Sequence, residues 1–278
     1  MRVRMSKHAS TSANEVTVGD PGVYLINLDR AVERRVFMEE QFERLGIDHN
    51  RITAVDRQDI DASCPDFDAG AYARLHGRRF NGSEIACYLS HIEALRAFLK
   101  TGAGHALILE DDAKLPDDLA DVMKAAIARS GEWDILRLST VNDGIRLPYS
   151  HLTGKYDLAI ALTREKGAAA YMVNRRCAER FIEKLLPIQV AWDIAFDLEY
   201  LHGLRSVFVE PPPVDQRSHF PTQIQNTVRQ SKLPSSRYLT VFPFRAKIET
   251  LRFLTRGARL LALKLGKNPS GSGKPTKR

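Results

Sequence analysis

The chain has 278 residues, a hydrophobic fraction of 44% and a formal charge of +7, apolar enough for one large α/β domain or two small ones. No apolar run approaches the roughly 18 residues of a membrane helix, and the first twenty residues lack the apolar stretch of a signal peptide. Cys64, Cys87 and Cys177 are too few and too scattered for a disulfide framework or a zinc site, so a soluble protein of a reducing compartment is expected.

The net charge averages two unlike parts. Residues 217–278 carry fourteen Lys and Arg against one acid, Glu249, while residues 1–216 carry 27 against 33. A mildly acidic body with a strongly basic tail points to an anionic partner for the tail.

"GVYLIN" (22–27) is a β-branched, apolar strand ending at Asn27. Val32, Val36, Phe37, Phe42 and Leu45 are spaced as a helix over 30–45, with Gly46 as its stop. "RITAV" (51–55) predicts a second strand, and 57–80 are irregular. "NGSEIACYLSHIEALRAFLK" predicts a helix capped by Asn81 or Ser83 and ended by Gly102. A strand at 105–109, a helix over 117–129 and strands at 133–139 and 168–174 come next. A helix to about Leu186, a short helix around 191–202 and a strand at 206–209 complete the body; 140–165 fit no element. The alternation predicts an α/β fold, a mostly parallel sheet flanked by helices, with ligands beyond the carboxyl ends of its strands.

The strand 105–109 runs into Glu110, Asp111 and Asp112 without a spacer. Three clustered anions repel one another, so a cation is expected to compensate them. Hard oxygen ligands favour Mn²⁺ or Mg²⁺, and a site with one or two protein carboxylates suits a metal whose shell substrate phosphates complete. A surface turn capping the next helix explains the same residues without a metal.

The order of several blocks goes further. "VYLINLDRAVERR" (23–35), "ITAVDRQ" (52–58), "NGSEIACYLSHIEAL" (81–95), "LILEDDAKL" (107–115) and "GAAAYMVNRRCAERFI" (167–182) together resemble glycosyltransferase family 25, whose members build lipopolysaccharide and lipo-oligosaccharide and include collagen galactosyltransferase domains. "WDIAFDLEY" (192–200) and "PPPVDQRSHF" (211–220) resemble later blocks, so the likeness spans roughly 22–222. It implies a GT-A-like nucleotide-sugar fold and inverting transfer of a hexose, often galactose, from a UDP-sugar to a glycan or glycolipid acceptor.

By this resemblance Asp112 is the metal ligand for Mn²⁺ or Mg²⁺. Glu110 assists, reaching the ribose or a metal-bound water, and Asp111 borders the substrate or shapes the turn. Asn27, Arg30, Arg34 and Asp56 border the nucleotide, and Glu84, Ser90 and His91 lie near the donor. Asp193 is the general base, with Asp197 a close rival one turn later. The chain departs from the family's glycines at Arg57, Ser83, Ala86 and Cys177; Arg57 matters most, because glycine often permits φ > 0 or close ligand approach. Plainer roles compete: His91 as a buried structural histidine, Ser90 bonded to its own helix, Arg78 and Arg79 as a solvated loop, and Trp133, Tyr171 and Trp192 as core or rim aromatics.

The expected domains are a disordered segment over 1–21, the catalytic domain over 22–235, a basic amphipathic helical tail over 236–267 and a disordered end over 268–278. On a helical wheel Arg245, Arg252, Arg256, Arg259 and Lys267 oppose Leu251, Leu254, Ala258, Leu261 and Leu265. The tail then lies on an anionic membrane, or the leucines pack on the body and leave the arginines solvated. No nucleic-acid motif accompanies the charge. The combined expectation is a cytoplasmic enzyme, peripheral at the inner face of a membrane. A metal-dependent phosphoester hydrolase, or a non-catalytic glycan-binding family member, is the alternative.

Overall fold

A computed structural model describes residues 21–216 and 231–266. The segments expected to be disordered lie, apart from Asp20's neighbour Pro21, outside the described residues.

Eight strands form one sheet: β1 (Gly22–Asn27), β2 (Asn50–Thr53), β3 (His105–Glu110), β4 (Ile135–Arg137), β5 (Arg146–Thr153), β6 (Tyr156–Ala161), β7 (Ala170–Asn174) and β8 (Ser206–Glu210), in the order β2-β1-β3-β7-β4-β8-β6-β5. The main helices are α1 (Val32–Leu45), α2 (Gly82–Leu99), α3 (Leu119–Ala128), α4 (Arg175–Lys184), α5 (Trp192–Ala195, continuing as a 3-10 turn to His202) and α6 (Tyr238–Lys264).

The expected mostly parallel sheet is mixed. β2, β1 and β3 are parallel neighbours, as are β4 and β8, but β7 lies antiparallel between β3 and β4, and β6 is antiparallel to β5 and β8. The physical reason is the stretch from β4 to β7, where no helix separates successive strands. Parallel neighbours need a crossover of a dozen or more residues, and that stretch supplies none. The β5–β6 hairpin occupies the region that fits no element in sequence. β5 is a half-exposed edge strand containing Pro148, and its pairing shifts register beside Pro148 and His151, so it shows no clean alternation.

Period-two alternation sends each central strand's side chains to two cores. Tyr24, Ile26, Ile108 and Tyr171 meet α2, α4 and α5 on one face. Val23, Leu25, Leu107, Leu109 and Met172 meet Met38 and Phe42 of α1, and Val122 and Met123 of α3, on the other. Gly46 ends α1 in the left-handed region at φ 62°, and Asn81 caps α2 through Oδ1 to the Ser83 and Glu84 amides. α2 stops at Leu99, before Gly102.

α6 begins at Tyr238, earlier than the wheel's helix, and continues through Pro243. At its centre the polarity reverses the expectation that the leucines pack on the body and leave the arginines solvated. Arg252 and Arg256 are buried, at 0% and 3% exposure, while Leu254 and Leu261 are 58% and 60% exposed. Arg256 pairs with Asp197 at 2.9 Å and Glu199 at 2.6 Å, and Arg252 with Asp197 at 3.0 Å. A wheel records amphipathicity and cannot record the two carboxylates that the 3-10 turn aims at the helix.

Candidate functional site

The parallel strands β1, β2 and β3 end at one edge of the sheet. Their register sets Asn27 beside Thr53, and Ile26 beside Glu110. Glu110 continues the Ala106–Ile108 face toward α2, and the next residue turns the other way. The three acids therefore have three environments. Glu110 lies 3.2 Å from His91 Nε2 and accepts from Gln216 at 3.4 Å. Asp111 accepts from Asn27 Nδ2 and from Arg34, both at 2.8 Å. Asp112 has one side-chain contact among the described residues, from Arg34 to Oδ2 at 3.5 Å, and its buried Oδ1 has no partner among them. The capping reading fails, because α3 starts only at Leu119, after Asp118.

Burial first, and then the charge of Glu110, push the Asp112 carboxyl up to about 7, against the opposing pull of Arg34. An orphaned buried oxygen beside a second carboxylate fits a divalent cation of hard-ligand preference. Asp112 and Glu110 are the residues that would hold it.

The acids open into a cavity of about 550 Å³, lined also by Arg30, Arg34, Arg57, Ser90 and His91. A second cavity of about 710 Å³ shares Cys87, Glu110 and Gln216 with the first and holds Glu84, Trp192 and Asp193. The two meet at Glu110.

Several expected ligand contacts are supports instead. Asn27 lines neither cavity; it is buried, donates to Asp111 and the Ala31 carbonyl, and accepts from Arg51 at 3.0 Å. Asp56 pairs with Arg30 and caps the 3-10 turn Arg57–Asp59 through the Gln58 amide, so it presents Arg30 rather than itself. Arg57 replaces the family's glycine without strain, since no described non-glycine residue has positive φ. The close approach occurs at Gly82, where a Cβ would meet the Arg57 carbonyl at 3.3 Å. Ser90 donates to Ala86 at 2.7 Å and accepts the Val55 amide at 2.9 Å, tying α2 to the loop after β2.

His91 is buried between Tyr171 Oη at 3.0 Å and Glu110, and it stacks on Trp192 at 4.8 Å. Tyr171, Trp133 and Trp192 are core residues. Cys87, His91 and Glu110 bring ligand atoms within 4.8 Å of one another. Burial pushes the Cys87 thiol well up, and both His91 nitrogens have neighbours, so this trio suits orientation of Glu110 better than a metal.

Glu84 lies in the second cavity, away from the nucleotide position the resemblance implies. It accepts from Tyr72 at 2.6 Å and pairs with Arg78; the Arg78 and His76 contacts outweigh burial and hold its carboxyl down at about 2. Asp193 accepts from Arg164 at 3.3 Å in the same cavity. Asp197 lines neither cavity and is sealed among Arg137, Arg252 and Arg256.

Sequence reasoning missed Arg51, Cys87 and Gln216. Arg51 arrives by strand register, Cys87 lies on α2 and Gln216 follows β8; the last two sit inside blocks that carry the resemblance, but nothing local in those blocks gives either a role.

The family model "Glycosyltransferase family 25 (LPS biosynthesis protein)" matches residues 20–196. A "Glycosyltransferase 25 family member" of Anopheles gambiae is 29% identical over 196 residues, 63% of this chain and 31% of that protein. "Procollagen galactosyltransferase 1" of Danio rerio is 24% identical over 219 residues, 73% of this chain and 34% of that protein. The chain thus spans about a third of the length of these relatives. A solved chain titled "Crystal Structure of A197 from STIV" aligns over 68% of this chain and 81% of its own at 12% identity, with a TM-score of 0.36.

Proposed function

The chain belongs to glycosyltransferase family 25, and from that premise we propose that it is a metal-dependent, inverting glycosyltransferase of GT-A type. It moves a hexose, galactose first among candidates, from a UDP-sugar to a glycan hydroxyl. The observation that carries the reading is the orphaned Asp112 oxygen beside an arginine-lined cavity that meets, at Glu110, a second cavity containing the carboxylate of Asp193.

The donor's diphosphate lies in the first cavity, where Arg30, Arg34 and Arg57 face its charge. Arg34 is held by Asp111, and Asp111 by Asn27, so this cation is preoriented. A divalent cation on Asp112 and Glu110, when bound, supplies Lewis-acid neutralisation of the diphosphate. The acceptor enters the second cavity. Its hydroxyl oxygen bonds to the anomeric carbon as the bond from that carbon to the diphosphate oxygen breaks. The electron pair leaves with UDP, and Asp193 takes the hydroxyl proton. His91 and Gln216 hold Glu110 at the junction of the two cavities.

The reading includes a lipid surface. No described helix is long and apolar enough to cross a membrane. α6 and the Leu265 that caps it nevertheless present Leu239, Phe253, Leu254, Leu261 and Leu265 outward at 58–80% exposure. Exposed Lys247 and Lys264 share the helix, and the twelve residues 267–278 add three lysines and an arginine without an acid. Apolar side chains flanked by cations suit an anionic bilayer, which in turn suits a glycolipid acceptor.

The test is a donor screen by UDP release with Mn²⁺, with and without glycan acceptors. UDP-galactose is expected to be turned over fastest, and only with an acceptor. Turnover of plain phosphoesters with no sugar transfer would replace this reading with a hydrolase.

A further inference from the structure

The second cavity is cationic beyond any need of the transfer chemistry. Its wall contains six Arg and Lys side chains against the three carboxylates Glu84, Glu110 and Asp193. Glu84 is already paired with Arg78, and Asp193 with Arg164. Lys166, Lys232, Arg237 and Arg245 line the same space with no carboxylate partner among the described residues.

Backbone pairing tightens the cluster. An isolated antiparallel bridge sets Arg78 opposite Lys232, and the Arg79 amide donates to Ser231 O at 2.8 Å. Like charges directly opposite on paired strands are destabilising. Burial, and then the nearness of Arg164 and Arg78, push Arg245 below the usual guanidinium range. The fold holds cations together here at a cost that a bound anion would reverse. Arg164 Nε is also buried without a hydrogen-bond partner among the described residues.

The cavity has an aromatic component as well. Tyr238 and Phe242 of α6 stack at 4.6 Å and 16° on its wall, both well exposed, and Trp192 lies at its base. The Arg237 guanidinium lies over the Tyr238 ring at 4.5 Å, so Phe242, backed by Tyr238, is the aromatic left to meet the apolar face of a pyranose ring.

We propose that this cavity selects an acidic saccharide acceptor, one bearing phosphate or carboxylate, which Lys166, Lys232 and Arg245 bind through its anion while Phe242 carries the ring. This rests on the glycosyltransferase reading for the word acceptor; the anionic-sugar site itself stands on the cavity alone.

The experiment measures binding of glucose 6-phosphate, glucuronate and glucose to the full chain by ligand-observed NMR, with UDP and Mn²⁺ present to fill the first cavity. The two acids are expected to bind at least tenfold more tightly than glucose, with the preference falling as salt rises. Their order identifies the phosphate or carboxylate arm. Lys166→Ala with Arg245→Ala is expected to remove the preference without lowering the thermal midpoint, since neither side chain has a described partner. Arg30→Ala is expected to weaken UDP binding and leave the preference intact. Equal binding of glucose and its acidic relatives, or a preference lost in Arg30→Ala and kept in the double variant, overturns the proposal. An anionic preference without any nucleotide-sugar turnover overturns the transferase reading and leaves the site.

Discussion

Arg256 of the C-terminal helix lies 2.9 Å from Asp197 and donates also to the backbone carbonyl of Ala161, joining α6, the 3-10 turn and β6 in the interior. The basic tail is therefore part of the body. Glu199 completes the pair at 2.6 Å, and Arg252 takes the other Asp197 oxygen at 3.0 Å.

Breaking one member of such a buried network leaves uncompensated charge. Asp197→Asn is expected to destabilise the protein by about 3–5 kcal/mol. The thermal midpoint should fall by on the order of 10 °C. The loss should appear in thermal unfolding with or without substrate. An unchanged midpoint contradicts the structural assignment of Asp197.

Asp193 is the opposite case, a carboxylate at the cavity with one arginine contact at 3.3 Å. Asp193→Asn should lower kcat by about 10²–10⁴. UDP affinity and thermal midpoint should stay near those of the parent. A variant that keeps its turnover, or loses it only by unfolding, removes Asp193 as the base.

These two aspartates show where sequence reading stops. Helical spacing sets them one turn apart, but α5 passes into a 3-10 turn at Phe196, and Asp197 is claimed by arginines more than fifty residues downstream. The acid trio was legible because β3 is a clean apolar strand whose alternation extends into Glu110. Its separate environments were not, since Asn27, Arg34, His91 and Gln216 arrive from four other segments. The tail's helix was readable and its inward face was not, because hydrophobic periodicity does not weigh an arginine that finds a buried carboxylate.

Asp112 makes a pH prediction. Its folded value of about 7 lies above the ordinary aspartate value of 3.8, so between them the folded protein holds a proton that the unfolded chain releases. The stability linked to that proton is complete below the unfolded value and is lost as pH rises through about 7. Without divalent cations the thermal midpoint should therefore decline from about pH 4 to about pH 7 and level off above it, and Asp112→Asn should flatten that decline. Mn²⁺ should raise the parent's midpoint at about pH 8 and have little effect at about pH 5.5, where the carboxyl is protonated. A Mn²⁺ response that persists in Asp112→Asn places the cation elsewhere.

With Arg252 and Arg256 held inside, α6 cannot roll to hide its leucines, and the outward face of Leu254 and Leu261 remains available to a bilayer. In flotation assays the full chain should rise with phosphatidylcholine vesicles containing a quarter phosphatidylglycerol and stay behind with phosphatidylcholine alone. High salt should weaken the anionic component, which lysines supply at about 1 kcal/mol each near the surface. Leu254→Glu with Leu261→Glu should abolish flotation while the thermal midpoint and turnover of a water-soluble acceptor are kept, because both side chains point away from the core and from either cavity. Equal recovery with neutral and anionic vesicles removes the electrostatic half of the argument. Undiminished flotation of the double variant removes this helix face from it.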